Sequence, residues 1–387
     1  VAQRIRERRR KNKEGLYFDY SLLFIVIFLV SFGLIMLYSA SSFEAQVKFG
    51  HSSYYLKKQL LCTGIGSAFL IILTLIDYRF WRLLRIPIYI VGLCLIFLVR
   101  TPLGITANGA TRWVSLPGGF SFQPSEVAKV AVIIFFSDAI CRLGKSIQKP
   151  SSLVKLTIYG MPFLLAIMFL TDNMSTTIIL AGIIFVMIFV ATPQYGRFVV
   201  LGLGVLAAAG GMIYAISAEL IPSEISFRLV RIQTWLNPEA YAQEGGFQTM
   251  QALYAIGSGG VFGKGLGKSI QKIDFLPEAQ NDMIFSVICE ELGVVGGIAV
   301  ILLFLLLLWR FMIIANNAPD LFGSMLVVGV MSHIALQVVF NIAVVTNTIP
   351  NTGITLPFIS YGGTSVIFLM AEMGLVLSVS KRIRLED

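Results

Sequence analysis

Read from the N terminus, the chain alternates long apolar runs with breaks that carry charge, glycine or proline. The runs fall at about 20–40, 59–76, 86–100, 125–141, 153–170, 175–191, 198–219, 283–314, 321–347 and 357–380. A helix needs about 20 apolar residues to cross a bilayer. Each run is of that order, the third and fourth being the shortest or most polar. The pattern predicts an all-α polytopic membrane protein of about ten transmembrane helices. It divides into a basic tail at 1–19, one helical domain at 20–380 and a short tail at 381–387. Two connections are long: 101–124, rich in Gly and Pro, and 220–282 between the seventh and eighth helices. The second holds Trp235, Phe247, Tyr254, Phe262 and Phe275, so it has material to pack, and a long packed loop is usually functional.

Composition narrows the class. Hydrophobic residues make up 56% of the 387 and charged residues only 13%, with a mean hydropathy of +0.82. Soluble domains carry about 25% charged residues, so a soluble, disordered or nucleic-acid-binding protein is excluded. The net charge of +9 is concentrated at one end, with Arg4, Arg6, Arg8, Arg9, Arg10, Lys11 and Lys13 in the first thirteen positions. Such a tail suits the anionic cytoplasmic face of a membrane. With ten spans, nineteen of the thirty basic residues fall on the side of the N terminus, which predicts both termini inside and the two long loops outside. The run at 20–40 is too long for a cleavable signal and is expected to stay as the first helix. Cys62, Cys94, Cys141 and Cys289 form no CxxC pair, and His51 and His333 cannot make a metal cluster by themselves.

The few ionisable residues inside apolar runs mark functional candidates, because burying charge in a membrane is costly. Glu126 and Lys129 open the fourth run behind Pro124, three residues apart on one helix face. They read as a neutralised pair that either pins the helix or also lines a substrate cavity. Asp282 sits at the outer boundary of the eighth run, where a carboxylate serves either as general base or as a helix N-cap; position alone leaves both open. Glu290 and Glu291, two turns deeper, suit structural pairing. Arg112, Arg228, Arg231, Lys264, Lys268 and Lys272 put positive charge in the outer loops, where guanidinium forks suit phosphate. Asp138 and Arg142 read as an interfacial i,i+4 pair, His333 as a hydrogen-bonded packing residue, and Glu372 is ambiguous. The glycine-dense stretch 258–268 allows close backbone approach to a ligand or the membrane, but it lacks the spacing of a Walker A loop.

Across nearly the whole chain these segments resemble the SEDS family (FtsW, RodA and relatives). The resemblance rests on GLIMLYSAS at 33–41, NGATRW at 108–113, FQPSEVAK at 122–129, RIQTWLNPE at 231–239 and GVFGKGLG at 260–267. It continues with LPEAQNDMIF at 276–285, EELG at 290–293 and LPFISYGGT at 356–364. It implies a polymerase of lipid II, the diphosphate-linked peptidoglycan precursor, in the bacterial cytoplasmic membrane. Its partners would be a class B penicillin-binding protein and other division membrane proteins. The family's essential aspartate falls on Asp282, its cavity Glu and Lys on Glu126 and Lys129, and its Arg-Trp pair on Arg112 and Trp113. Two departures stand out. The usual His-Thr before the aspartate is Gln280-Asn281, and the following Phe is Met283. The TDNMST segment at 171–176 and the LYSAS signature resemble the division-type branch more than the elongation-type branch.

The implied reaction is an inverting glycosyl transfer at the outer face, needing one base and a means of holding the leaving diphosphate. Asp282 is expected as base, and Lys129, Arg112, Trp113, Arg231 and Lys272 as substrate contacts. Glu126 is expected to orient Lys129 or help hold a divalent cation (Mg or Mn); no organic cofactor is expected. A flippase for the same lipid, an elongation-type polymerase and a non-catalytic division scaffold are the alternatives.

Overall fold

The computed structural model describes residues 17–107, 110–116, 120–217, 227–242, 245–273 and 275–384. The basic tail at 1–16 and the side chain of Arg228 lie outside the described residues. Helices occupy all ten apolar runs: α1 Tyr20–Phe49, α2 Tyr54–Leu75, then after a short α3 (Arg79–Leu83) α4 Arg85–Phe97, α5 Pro124–Leu143, α6 Pro150–Leu170, α7 Met174–Ala191 and α8 Tyr195–Ser217. From the large loop come α9 Phe227–Leu236 and α10 Gly246–Gly259, followed by α11 Ile284–Asn316, α12 Leu321–Val345 and α13 Ser365–Ser380. Of these, α1, α2, α6, α7, α8, α11 and α12 are long and apolar enough to cross a membrane. The remaining three runs carry the short α4 and α13 and the charge-bearing α5.

Helix starts follow local chemistry. Asp19, Asn173 and Asp320 cap α1, α7 and α12 by accepting from the amides of Leu22, Thr176 and Gly323. Pro124 and Pro150 occupy the first turns of α5 and α6, where the missing N–H is not needed. Helix α12 is the most enclosed of the long helices and packs against α5, α7 and α11, while α2 packs along α13. Helix α8 is exposed to the surroundings over almost its whole length, as suits an apolar helix facing lipid.

Buried ion pairs tie the bundle together. Asp138 on α5, 1% exposed, accepts from the Nε atoms of Arg82 (2.7 Å), Arg85 (2.8 Å) and Arg142 (2.5 Å). The expected Asp138–Arg142 pair is therefore one edge of a four-residue cluster joining α3, α4 and α5. At the ends of the chain, Asp19 receives Arg310 of α11 at 2.7 Å, and Tyr17 N donates to Ile383 O at 3.2 Å. The start of α1 and the end of α13 thus lie side by side, so the chain crosses between them an even number of times.

Several boundaries differ from those read off the pattern. Helix α1 runs on to Phe49, well past the polar Ser39–Ser42 stretch, because Ser39 turns inward onto Glu291. Helix α13 begins at Ser365. Residues 357–364 are instead a buried loop in which Phe358 and Gly363 have φ of +64° and +51°. Gly33 of α1 admits this loop, since a Cβ there would lie 2.4 Å from Phe358 O. Non-helical backbone at membrane depth is tolerated where protein covers it. The 101–124 connection forms an antiparallel sheet, β1 Gly104–Ala107, β2 Ala110–Leu116 and β3 Phe120–Phe122, with β2 central.

The glycine-rich stretch after α10 docks on the backbone of α11. It inserts into α11, whose backbone breaks at Gly293 (φ +70°). There Lys264 N and Gly265 N donate to Glu290 O and Glu291 O, and Val294 N and Val295 N donate to Gly260 O and Val261 O. The loop thereby supplies the hydrogen bonds that the broken helix loses. A Cβ on Gly293 would lie 2.2 Å from Val261 O, and one on Gly263 2.2 Å from Glu291 O. Gly293→Ala is therefore expected to destabilise the detergent-solubilised protein by at least about 2 kcal/mol, the scale of strained backbone plus core overlap. A thermal midpoint equal to wild type would refute this account of the break.

Candidate active site

The segment 276–283 carries the central carboxylate. Glu278 takes φ of +56°, turning the chain so that Asn281 N donates back to Glu278 O at 2.9 Å and the Asn281 amide donates to the Glu278 carboxylate. The turn sets Asp282 just before the first residue of α11. Asn341 of α12, fully buried, clamps it from beneath by donating to Asp282 O and Ile354 O, both at 2.7 Å. The side chain of Asp282 is 7% exposed, and its Oδ1 has no protein partner. Gly353 faces it; a Cβ there would come 3.8 Å from Oδ2. Burial, and then the nearby Glu278 charge, push the Asp282 pKa up to about 7. Its own amide, Arg231 and the Met283 amide oppose the shift less strongly. The N-cap reading drops out, because α11 has no side-chain cap.

Two guanidiniums share this mouth. Arg231 on α9 donates to Asn351 O at 3.5 Å, and Arg112 on β2 donates to Asp172 O at 3.2 Å. Arg112 Nε is buried without a partner. Burial first, and then the charge of Arg231, depress the Arg112 pKa, so the two cations feel one another. An anion between them would relieve that repulsion. Trp113 follows on β2, half-buried and paired in register with Ile105. The large loop is clipped onto the same mouth by Trp235 Nε1 to Asn347 O (2.9 Å), Asn351 Nδ2 to Gln248 Oε1 (2.8 Å) and Gln248 Nε2 to Pro277 O (3.3 Å).

Glu126 and Lys129 pair at 2.9 Å, as their spacing implied, but they lie deeper. Lys129 Nζ also lies 2.8 Å from His333 Nε2, and His333 Nδ1 lies 2.8 Å from Glu372. His333, Gln337 and Asn341 are four residues apart on α12. At 1.5 Å per residue, the Lys129 level is about 12 Å from the Asp282 level along the helix axis. Sequence reasoning passed over this stripe, although three polar residues at i, i+4 and i+8 in an apolar helix are a legible signal. His333, expected as a hydrogen-bonded packing residue, is buried and hydrogen-bonded, and its two partners are the ionisable Lys129 and Glu372.

Lys272 is not part of the site. Its ammonium is buried against Glu291 (2.6 Å) and Ser39 Oγ (2.9 Å), so its charge is already spent. Lys264 is likewise paired with Glu290 at 2.7 Å, and Glu290 also takes Ser269 Oγ and the Ile270 amide. Both glutamates are therefore structural, and these loop lysines do not make a cationic cavity. A divalent cation finds no protein cage either. Among the described residues no three His, Cys, Asp or Glu side chains gather, and Glu126 is already matched by Lys129.

The fold and site define a polytopic membrane protein with one buried carboxylate under a cationic mouth. Residues 20–385 match the family described as cell cycle proteins, FtsW/RodA/SpoVE, and the chain belongs to that family. It is 42% identical to the stage V sporulation protein E of Bacillus subtilis over 366 residues, covering 94% of this chain and 97% of that protein. It is 37% identical to a probable peptidoglycan glycosyltransferase FtsW of Trichlorobacter lovleyi, covering 95% and 94%. A solved structure described as a peptidoglycan synthase complex coordinating polymerization and crosslinking contains a similar chain. That chain has a TM-score of 0.76 and 28% identity, with 94% of this chain and 97% of that one covered.

The raised Asp282 pKa has a stability consequence. An acid whose folded pKa lies above its unfolded value near 3.8 holds its proton longer in the folded state, so stability falls as pH rises from about 4 to about 7. Asp282→Asn removes that slope. Thermal midpoints measured across this range are expected to converge for wild type and variant at low pH and diverge in the variant's favour at pH 7. Parallel curves would contradict the burial of this carboxylate.

Proposed function

We propose that this chain polymerises lipid II into peptidoglycan glycan strands at the outer face of the cytoplasmic membrane, with Asp282 as the base. The observation that carries the reading is a buried carboxylate whose pKa is raised to about 7, beside two guanidiniums, Arg112 and Arg231, close enough to act on one another. A retaining or inverting hydrolase uses two flanking carboxylates. Transfer between two lipid-linked sugars needs one base and a site for the leaving diphosphate. The acceptor hydroxyl loses its proton to Asp282 as its oxygen bonds to the donor's anomeric carbon. The anomeric bond to the diphosphate then breaks with inversion. Arg112 and Arg231 hold the charge that accumulates on the leaving group. Lys129, oriented by Glu126, offers a deeper contact for a lipid-linked diphosphate, and Trp113 gives a sugar or lipid surface beside Arg112.

The names of the FtsW relatives and the synthase complex to which the chain is similar support this activity. The crosslinking activity named for that complex supports a crosslinking partner, which we take to be a class B penicillin-binding protein. We place both termini in the cytoplasm on the distribution of basic residues, and the chain at the division septum alongside other division proteins. A tagged copy is expected at mid-cell; uniform labelling of the side wall would favour the elongation role.

Purified with its penicillin-binding partner and given lipid II, the wild type is expected to yield glycan polymer. The rate is expected to rise with pH through an apparent pKa near 7, since the base form is the active one. Asp282→Asn is expected to lower the rate by at least about 100-fold. Arg112→Gln and Arg231→Gln are expected to lower it by about tenfold or more. Polymer at the wild-type rate from Asp282→Asn would overturn the base assignment. Lipid translocation without polymer would replace the transferase by a flippase.

A further inference from the structure

Four ionisable side chains meet in the interior between α5, α12 and α13. Glu126, Lys129, His333 and Glu372 are 7%, 2%, 1% and 1% exposed. They form a continuous chain: Glu126 Oε1 to Lys129 Nζ at 2.9 Å, Lys129 Nζ to His333 Nε2 at 2.8 Å, and His333 Nδ1 to Glu372 Oε2 at 2.8 Å. An ammonium only donates. With Lys129 charged, His333 Nε2 must accept, so the ring carries its one proton on Nδ1 and donates it to Glu372. The carboxylate on α13 thus selects the tautomer that offers Lys129 a lone pair.

Counting donors then gives a direction. Lys129 has three ammonium hydrogens; Glu126 takes one and His333 another. Among the described residues no third acceptor is bonded to it. Gln337 Oε1 and Asn341 Oδ1, four and eight residues beyond His333 on α12, and Asp282 Oδ1 are buried polar atoms without a protein partner. Such atoms need a polar partner to be satisfied, and a polar ligand would supply one.

We propose that His333 and Glu372 are positioning residues for the substrate's diphosphate. Glu372 holds the His333 tautomer, and His333 with Glu126 aims the remaining Lys129 hydrogen at the anion. The inference rests on the reading of Lys129 as a diphosphate contact.

The test is a kcat and KM measurement for lipid II polymerisation by the complex with the penicillin-binding partner. His333→Leu and Glu372→Leu are expected to lower kcat/KM about tenfold, mainly through KM. Glu372→Gln, whose amide oxygen still accepts from Nδ1, is expected to recover most of that loss. Lys129→Met is expected to lose at least as much, and adding His333→Leu to it to cost nothing further. Additive losses, or a wild-type KM in His333→Leu with Lys129→Met impaired, would overturn the positioning role alone. A wild-type KM in Lys129→Met would instead overturn the diphosphate contact, and this inference with it. Where the leucine variant does not fold, His333→Gln decides, because its amide oxygen replaces Nε2 as acceptor for Lys129. Activity within about threefold of wild type supports the proposal, and a loss equal to that of Lys129→Met refutes it.

Discussion

A charge carried below the surface of a bilayer must find a partner in the protein, because the lipid supplies none. This chain meets that condition group by group, and its helices pack where the pairs require. Asp138 gathers three arginines at one end of α5. Asp19 with Arg310 closes the N-terminal helix onto α11. Glu290 and Glu291 bind the loop lysines and Ser39. Taking one partner away from such a pair leaves an uncompensated buried charge, which costs several kcal/mol, so the pairs hold α1, α3, α4, α5 and α11 in one relative arrangement.

The exception is Asp282. Its carboxylate is buried too, yet its Oδ1 has no protein partner and Arg231 acts on it electrostatically. A group left in that state must be stabilised by the rest of the fold. Here Asn341 fixes its backbone while the turn at Glu278 fixes its direction. The result is a carboxylate whose pKa is raised to about 7. The paired carboxylates and Asp282 thus differ in whether a cation bonds to them directly.

The break in α11 belongs to the same economy. By parting the helix at Gly293, the chain lets the 260–267 loop dock by backbone hydrogen bonds. The docked loop presents Lys264 and Lys272 to Glu290 and Glu291. It also anchors the far end of the large loop, whose helix α9 carries Arg231 to the site.

Much was determined by the sequence alone. Apolar runs of membrane length located the helices, because burial in lipid constrains every residue of a span. The spacing of Glu126 and Lys129 specified their pair, since three residues on a helix place two side chains on one face. The LPEAQNDMIF segment singled out Asp282. Only the tertiary structure decided where each charge is placed. Lys272 and Arg231 look alike in sequence, both cations in one long loop, yet one is buried on Glu291 and the other reaches the mouth. His333 and Glu372, thirty-nine residues apart on different helices, acquire meaning only when packing brings them together. Periodicity reports the face a residue occupies within its own helix; it carries no information about which charge the neighbouring helix will place opposite.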